Sequence, residues 1–468
     1  MPAHEVLIFD IASGGMSAAR FSEKLEVRGY EEVPWETPLV ADTVIAAFQK
    51  LSRSLSGTEP VAVAISSFMH SFLMLDWDGR PQGPVSTWMD DAPQEGIAMI
   101  RGAVGPEFHR RTGCHYHPMF PVFKLASMKI ANGSRIASPK TLLIEVLCGN
   151  YVEDYGMASA SGLLNIHTAI WDDDLLRAST LYLSNLPQLM EPHAVVGRID
   201  SNTVVVNGSG DGFMANIGSG CESTNRMAVT LGTSAAVRQM VTEPSLNPEA
   251  GTFCYRATGG DAFLLGCASS NGGNALDWAR REFGVANGSP LANRDIPIFL
   301  PWLHGERSLE WNPDLRPSWH GRKPDHSPEE LFRSVLEGVV FNLAQYVEVI
   351  EKNSGIRANE IVLSGNGFLD PSVAPVLAAL VSRETLQPES SGLGTLRGTA
   401  VCAWRALGHD STPAVERLLQ QAKRIVPVTD DRLRDRYDRF KELRAMGLAN
   451  PFPSGRRWPE GPDEGIRI

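Results

Sequence analysis

One local pattern occurs twice and constrains the architecture more than anything else in the chain. Val6-Leu7-Ile8-Phe9-Asp10 is a short apolar run ending on an acid, followed by the turn Ile11-Ala12-Ser13-Gly14-Gly15 and a returning run, Met16-Ser17-Ala18-Ala19-Arg20-Phe21. Met227-Ala228-Val229-Thr230-Leu231, the turn Gly232-Thr233-Ser234 and Ala235-Ala236-Val237-Arg238 repeat that plan. A short apolar run bounded by turn residues reads as a buried strand, and two such runs around a tight turn read as a hairpin. Glycine lets backbone N–H groups approach phosphate oxygens closely, and Ser or Thr hydroxyls add donors. The chain therefore reads as two halves, each opening with a phosphate-sized hairpin, and facing halves would clamp a nucleotide.

Length agrees, since 468 residues are too many for one core. The first domain is expected over 1 to about 224, with strands near 6–10, 16–21, 61–66 and 203–207. Thr43 to Leu55 has helical character, with Ile45, Phe48 and Leu51 at three-residue steps. The second domain is expected over 225 to about 447. There Pro328 to Lys352 reads as a long helix whose acidic start, Glu329-Glu330, suits the positive end of the helix dipole. Ile361 to Ser364 gives a buried strand ending at Gly365-Asn366-Gly367, and 448–468 is a Pro/Gly-rich tail with little to pack against.

A net charge of -11 argues against nucleic acid or an anionic membrane as partner. No apolar run approaches the roughly 20 residues of a membrane span, and the amino terminus has no secretory pattern, so a cytoplasmic location is expected. Cys114, Cys148, Cys221, Cys254, Cys267 and Cys402 are scattered singly, without metal-binding spacing, and read as reduced thiols. His115 and His117 lack further ligands nearby and read as pocket or loop residues.

Asn207-Gly208-Ser209-Gly210-Asp211-Gly212 holds an acid in a glycine turn, about twenty residues before Thr230-Leu231-Gly232-Thr233-Ser234. A lone Asp between glycines is commonly just a turn residue. Beside a phosphate cradle it becomes a candidate general base for phosphoryl transfer to an alcohol.

These segments, in this order, resemble the FGGY family of carbohydrate kinases, which has a two-domain, actin-like α/β fold of ribonuclease-H type with a cleft between the domains. Phe9 to Gly15 resembles that family's first phosphate motif, Ala64 to His70 its strand ending in Met-His, and Thr87-Trp88-Met89-Asp90 its Trp-x-Asp sugar segment. Gly208 to Gly212 resembles the catalytic-base turn and Thr230 to Ser234 the second phosphate motif. Arg111 to His115 with His117-Pro118, Ser270 to Asn274, and Pro301 to Arg307 are most similar to the gluconate-kinase-like branch.

The resemblance implies ATP-dependent phosphorylation of a sugar, sugar acid or polyol, with gluconate the first candidate and xylulose or ribulose next. Asp211 is the implied base. Asp10 would hold Mg²⁺ through water, or else simply cap its turn. Ser13, Gly14 and Gly15 would cradle phosphates from one side and Gly232, Thr233 and Ser234 from the other, with Gly365, Asn366 and Gly367 at the adenosine. Met69, His70, Trp88, Asp90 and Gly212 would meet the sugar, although a Trp such as Trp88, taken alone, is more often a core aromatic than a ligand platform.

Several positions depart from the family pattern. Ala12 and Gly14 stand for a glycine and a hydroxyl residue, and Ser17 for a lysine near the phosphates. Phe68 stands for Gln before Met-His, Ala92 for an arginine, Asn366 and Phe368 for small residues, and Leu380 for an acid. A weakened or re-specialised kinase is one expectation; a non-catalytic sugar- or nucleotide-binding relative is the other.

Overall fold

Both apolar hairpins lie at the centres of sheets in the computed structural model, which describes residues 4–57, 59–286, 296–389 and 391–449. The first half contributes β1 (Glu5–Ala12), β2 (Gly15–Ser22), β3 (Val27–Pro34), β4 (Ala62–Ser67), β5 (Val195–Arg198) and β6 (Val204–Val206), in the spatial order β5-β6-β4-β1-β2-β3. The second contributes β7 (Arg226–Leu231), β8 (Ala235–Val241), β9 (Phe253–Arg256), β10 (Phe263–Ser269), β11 (Glu360–Ser364), β12 (Thr385–Gln387) and β13 (Lys423–Ile425), ordered β9-β10-β8-β7-β11-β12-β13. Within them, β3-β2-β1-β4-β6 and β10-β8-β7-β11-β12 follow one plan, an antiparallel meander joined to two parallel strands. The repeated sequence pattern is thus a repeated half-sheet.

The helices that matter for the site are α1 (Ala41–Ser54), α2 (Pro139–Cys148), α3 (Asp211–Gly218), α4 (Gly273–Phe283), α5 (Pro328–Ser354), α6 (Val373–Val381), α7 (Gly394–Ala406) and α8 (Asp431–Ala449). Alternate residues of a strand face opposite sides, so a strand covered on both sides reads as a continuous apolar run. In β1, Leu7, Phe9 and Ile11 meet Val44 and Leu51 of α1 and Leu142 and Leu143 of α2. Val6 and Ile8 face the other way, onto Leu396, Ala400 and Trp404 of α7. That second cover comes from far along the chain: α7 lies beyond residue 224 yet packs under the first sheet, with Trp404 Nε1 donating to the carbonyl of Ser22 at 3.0 Å.

In the second half α5 lies across the sheet, burying Val335, Val339 and Leu343 against Val229, Val237 and Leu265. It starts where expected, and Ser327 and Glu330 cap each other's backbone N–H groups there. The edge strand β3 has no counterpart among the expected elements. Helix α8 runs to Ala449, past the expected start of the tail at 448, and 450–468 lie outside the described residues. No helix among the described residues is long and apolar enough to cross a membrane.

Candidate active site

Parallel pairing places Asp10 of β1 beside Ser66 of β4, and antiparallel pairing places it beside Ser17 of β2, which in turn faces Glu32 of β3. Ser66 Oγ donates to Asp10 Oδ1 at 2.9 Å. One residue on, the N–H of Ser67 donates to the carbonyl of Ser209 at 3.3 Å, docking the glycine turn that precedes Asp211 against the end of β4. The two candidate acids therefore come together, Asp10 near the end of β1 and Asp211 just after the turn docked on β4. Burial and then the charge of Asp211 push the Asp10 carboxyl up to about 7, with the Ser66 hydrogen bond opposing.

Asp211 is the first residue of α3, and its Oδ1 accepts the N–H of Gly212 at 2.7 Å. Burial raises its pKa, opposed by Arg238, by the backbone of Gly212 and Met69, and by Arg307. The turn itself hangs from a buried network. Lys140 of α2 lies 2.7 Å from Glu153 and 3.1 Å from Asp154 and donates to Asn207 Oδ1 at 2.8 Å, while Asp154 Oδ1 accepts the Ser209 hydroxyl.

The phosphate side is assembled from glycine contacts. Gly273 N–H donates to the Gly232 carbonyl at 2.7 Å and Asn274 N–H to the Thr233 carbonyl at 3.1 Å, so the start of α4 closes on the second hairpin turn. Gly365 has φ of 92°, and a Cβ there would lie 2.4 Å from the Leu231 carbonyl oxygen. Two of the three segments expected at the nucleotide, the second hairpin turn and the Gly365 turn, are thus in contact. Beyond them opens a cleft of about 950 Å³, lined by Asn366, Phe368, Leu369, Gly392 and Leu393 and, from the opposite half, by Tyr30 of β3. Across from it, Trp35 ties down the first hairpin turn, its Nε1 donating to the Ser13 carbonyl at 3.0 Å and its backbone N–H to the Gly14 carbonyl at 3.1 Å. Gly15 pairs with Ala12, and Ser13 and Gly14 form the tip.

The sugar side centres on His70. Its backbone lies at φ of 59°, unusual for a residue with a Cβ, and its Nδ1 donates to the Ala160 carbonyl at 2.8 Å. Burial pushes its pKa down to about 3, so the ring is neutral and Nε2 is left as an acceptor. Arg307, Lys124 and His117 also act on it electrostatically. Arg307 lies 5.8 Å over the Trp88 ring, which places Trp88 at the pocket. Asp90 lies at the exposed end of the same turn, and its Oδ2 accepts the N–H of Thr87 at 2.6 Å. Met69 packs at the catalytic turn, since a Cβ on Gly212 would lie 2.7 Å from its Cε.

Sequence reasoning did not single out Arg238, Arg307 and Lys124 as site residues. Arg238 and Lys124 are each a lone charge in an apolar stretch, a detectable signal, whereas Arg307 sits beside Glu306, and only the fold shows that the three converge. Of the departures from the family pattern, Phe68, Ala92 and Leu380 are buried and change the packing behind the site, while Phe368, also buried, lines the cleft. Ser17 is different: it stands directly beside Asp10 in the sheet.

The N-terminal domain model of the FGGY family of carbohydrate kinases matches residues 16–218, and the C-terminal domain model of the same family matches 227–407. The chain belongs to the FGGY family of carbohydrate kinases. Gluconokinase of Bacillus subtilis (strain 168) is 28% identical over 475 residues, covering 91% of this chain and 92% of that one. Among solved structures, gluconate kinase from Lactobacillus acidophilus superposes with a TM-score of 0.83 at 25% identity, covering 95% of this chain and 98% of that one. Ligand-bound xylulose kinase from Lactobacillus acidophilus superposes with a TM-score of 0.84 at 25% identity, covering 95% and 99%. The two-domain, actin-like α/β fold that the resemblance implied is therefore the fold of this kinase, and of the two functional expectations the enzyme is the one that stands.

Proposed function

We propose that this FGGY kinase transfers the γ-phosphoryl group of ATP to a hydroxyl of a sugar, sugar acid or polyol, with gluconate first and xylulose or ribulose after it, and that Asp211 is the general base. The observation that carries this reading is the position of Asp211. It opens α3 at the end of β4, in electrostatic contact with Asp10 on one side and with Arg238 and Arg307 on the other. A base with a raised proton affinity accepts a hydroxyl proton better than an ordinary carboxylate does. The N–H groups of Gly212 and Met69 hold it in place while it does so.

The nucleotide would lie in the cleft beside Asn366 and Phe368, with its phosphates between the Ser13–Gly15 and Gly232–Ser234 turns. Mg²⁺ suits the Asp10 corner on two grounds: the donors are oxygens, and two carboxylates that repel each other in a buried cleft are relieved by a divalent cation. Bound there, the ion would neutralise charge on the phosphate oxygens. Trp88 would pack on the C–H face of the sugar, with His70 Nε2 accepting from a hydroxyl and Asp90 at the rim. Closure of the halves would exclude water and limit hydrolysis of ATP.

The test is ADP release from Mg²⁺·ATP over a panel of aldonates, ketoses and polyols, beside an Asp211→Ala control. A sugar-dependent signal that vanishes in the variant supports the assignment. Undiminished turnover in the variant removes Asp211 from the role, and silence of folded protein across the panel removes the reaction.

A further inference from the structure

Two arginines meet at the acceptor end of the site without a carboxylate of their own. Arg238 of β8 and Arg307 sit around Asp211, and both side chains are half-buried. Arg238 Nη1 reaches Thr230 Oγ1 at 3.4 Å, at the long end of a hydrogen bond, and Arg307 Nη2 donates to the Ser269 carbonyl at 2.8 Å. The Nε of each is buried with no partner, and among the described residues neither guanidinium is ion-paired. Their neighbours are Tyr255, neutral His70 and His117, and Lys124. Glu306 also acts on Arg307, but its carboxylate already accepts from Ser269, Asn342 and the Arg307 N–H, and Asp211, as the base, cannot be spent on neutralising two cations.

Burial lowers the proton affinity of both guanidiniums, and for Arg238 the charge of Arg307 adds to that. A buried cation without a partner is costly, and proteins that keep one usually receive the counter-charge from a ligand. The guanidinium fork matches a carboxylate with two parallel hydrogen bonds. We propose that Arg238 and Arg307 bind the carboxylate of the acceptor, so that the acid group selects the substrate and a neutral sugar or polyol of the same length is discriminated against. The inference rests on the acceptor site assigned above and extends it to the residues that set specificity.

Equilibrium binding without nucleotide separates this inference from the transfer reaction. Titration calorimetry should show gluconate binding the wild-type protein about 100-fold more tightly than glucitol, its neutral polyol counterpart, because unpaired site cations reject the analogue that lacks the charge. Arg238→Gln should lose roughly 30-fold or more in gluconate affinity and change glucitol binding by less than about threefold. Arg307→Lys, which keeps the charge but not the fork, should narrow the gluconate-to-glucitol ratio as well, and serves if the first variant fails to fold. Gluconate should raise the melting temperature of the wild type and not that of Arg238→Gln. Equal binding of gluconate and glucitol by the wild type would overturn the proposal. So would an Arg238→Gln variant with unchanged gluconate affinity and reduced kcat on every acceptor, which would assign Arg238 to the transferred phosphoryl group. Tight, acid-selective gluconate binding without turnover would support the carboxylate site and remove only the transfer reading.

Discussion

As the proposed base, Asp211 must stay ionised in the cleft and then give that charge up to a proton, and its surroundings set the balance. Burial raises its pKa while Arg238 and two backbone N–H groups oppose, which places the acid limb of kcat/KM above the ordinary carboxylate value of 3.8. Asp211→Asn keeps the acceptor for Gly212 and loses the base, so kcat should fall by about 10³-fold with the sugar KM within about threefold, read from ADP release. A basic limb belongs to Lys124, whose ammonium burial pushes down to about 8 against the pull of Asp90 and Asp91. Its folded value lies below the unfolded 10.5, so the unfolded chain holds the proton more tightly. Burying this cation thus costs stability at neutral pH, and the cost fades as pH rises from about 8 to 10.5. Function runs the other way, because above pH 8 the pocket loses a cation facing His70 and His117. The acceptor KM should rise by about tenfold between pH 7 and 9. In Lys124→Gln it should be high already at pH 7 and flat above. A wild-type KM that stays flat through pH 9 would remove Lys124 from acceptor binding.

Elements position these residues through a few backbone contacts that side chains cannot replace. At the end of β11, Gly365 takes a left-handed φ and touches the Leu231 carbonyl at the end of β7, coupling the adenosine segment to the phosphate turn. Gly365→Ala adds a methyl group where there is no room and strains the backbone, so stability should drop by about 1–3 kcal/mol. The KM for ATP should rise more than that for the sugar, a split that simple loss of folded protein would not produce. The central hairpins were legible in the sequence because β1 and β7 are covered on both faces and stay apolar throughout. Strand β3 was not, since Val27–Pro34 is mostly exposed and, apart from Val33, joins the sheet chiefly through its backbone. Helix α7 was invisible as a layer of the first domain, because its partners in β1 and β4 precede it by more than three hundred residues. The phosphate turns and Asp10 could be read locally, as glycines and acids at the ends of apolar runs. Arg238, Arg307 and Lys124 could not, because the information that unites them is spatial.

At the scale of the whole molecule, one place where the two halves of the chain meet closely is the crossing of α3 and α7. Helix α3 carries Asp211 at its first residue, and α7 comes from the distal half of the chain to pack under the first sheet. They touch backbone to backbone: a Cβ on Gly218 would lie 1.9 Å from the Gly394 carbonyl oxygen, and one on Gly398 1.9 Å from that of Met214. A displacement of α7 is therefore passed to α3, and through α3 to the base. Gly398→Ala must push the two helices apart, by analogy with overpacked cores at a cost of about 1–3 kcal/mol and a melting temperature a few degrees lower. If this crossing carries closure, the substitution should also lower kcat by about tenfold on every acceptor and leave both KM values nearly unchanged, since it touches neither binding surface. The contraction that small-angle scattering should record on adding ATP and gluconate to the wild type should shrink in the variant. A variant with a lowered melting temperature and full kcat would show the crossing to be packing alone, and closure would then have to pivot elsewhere.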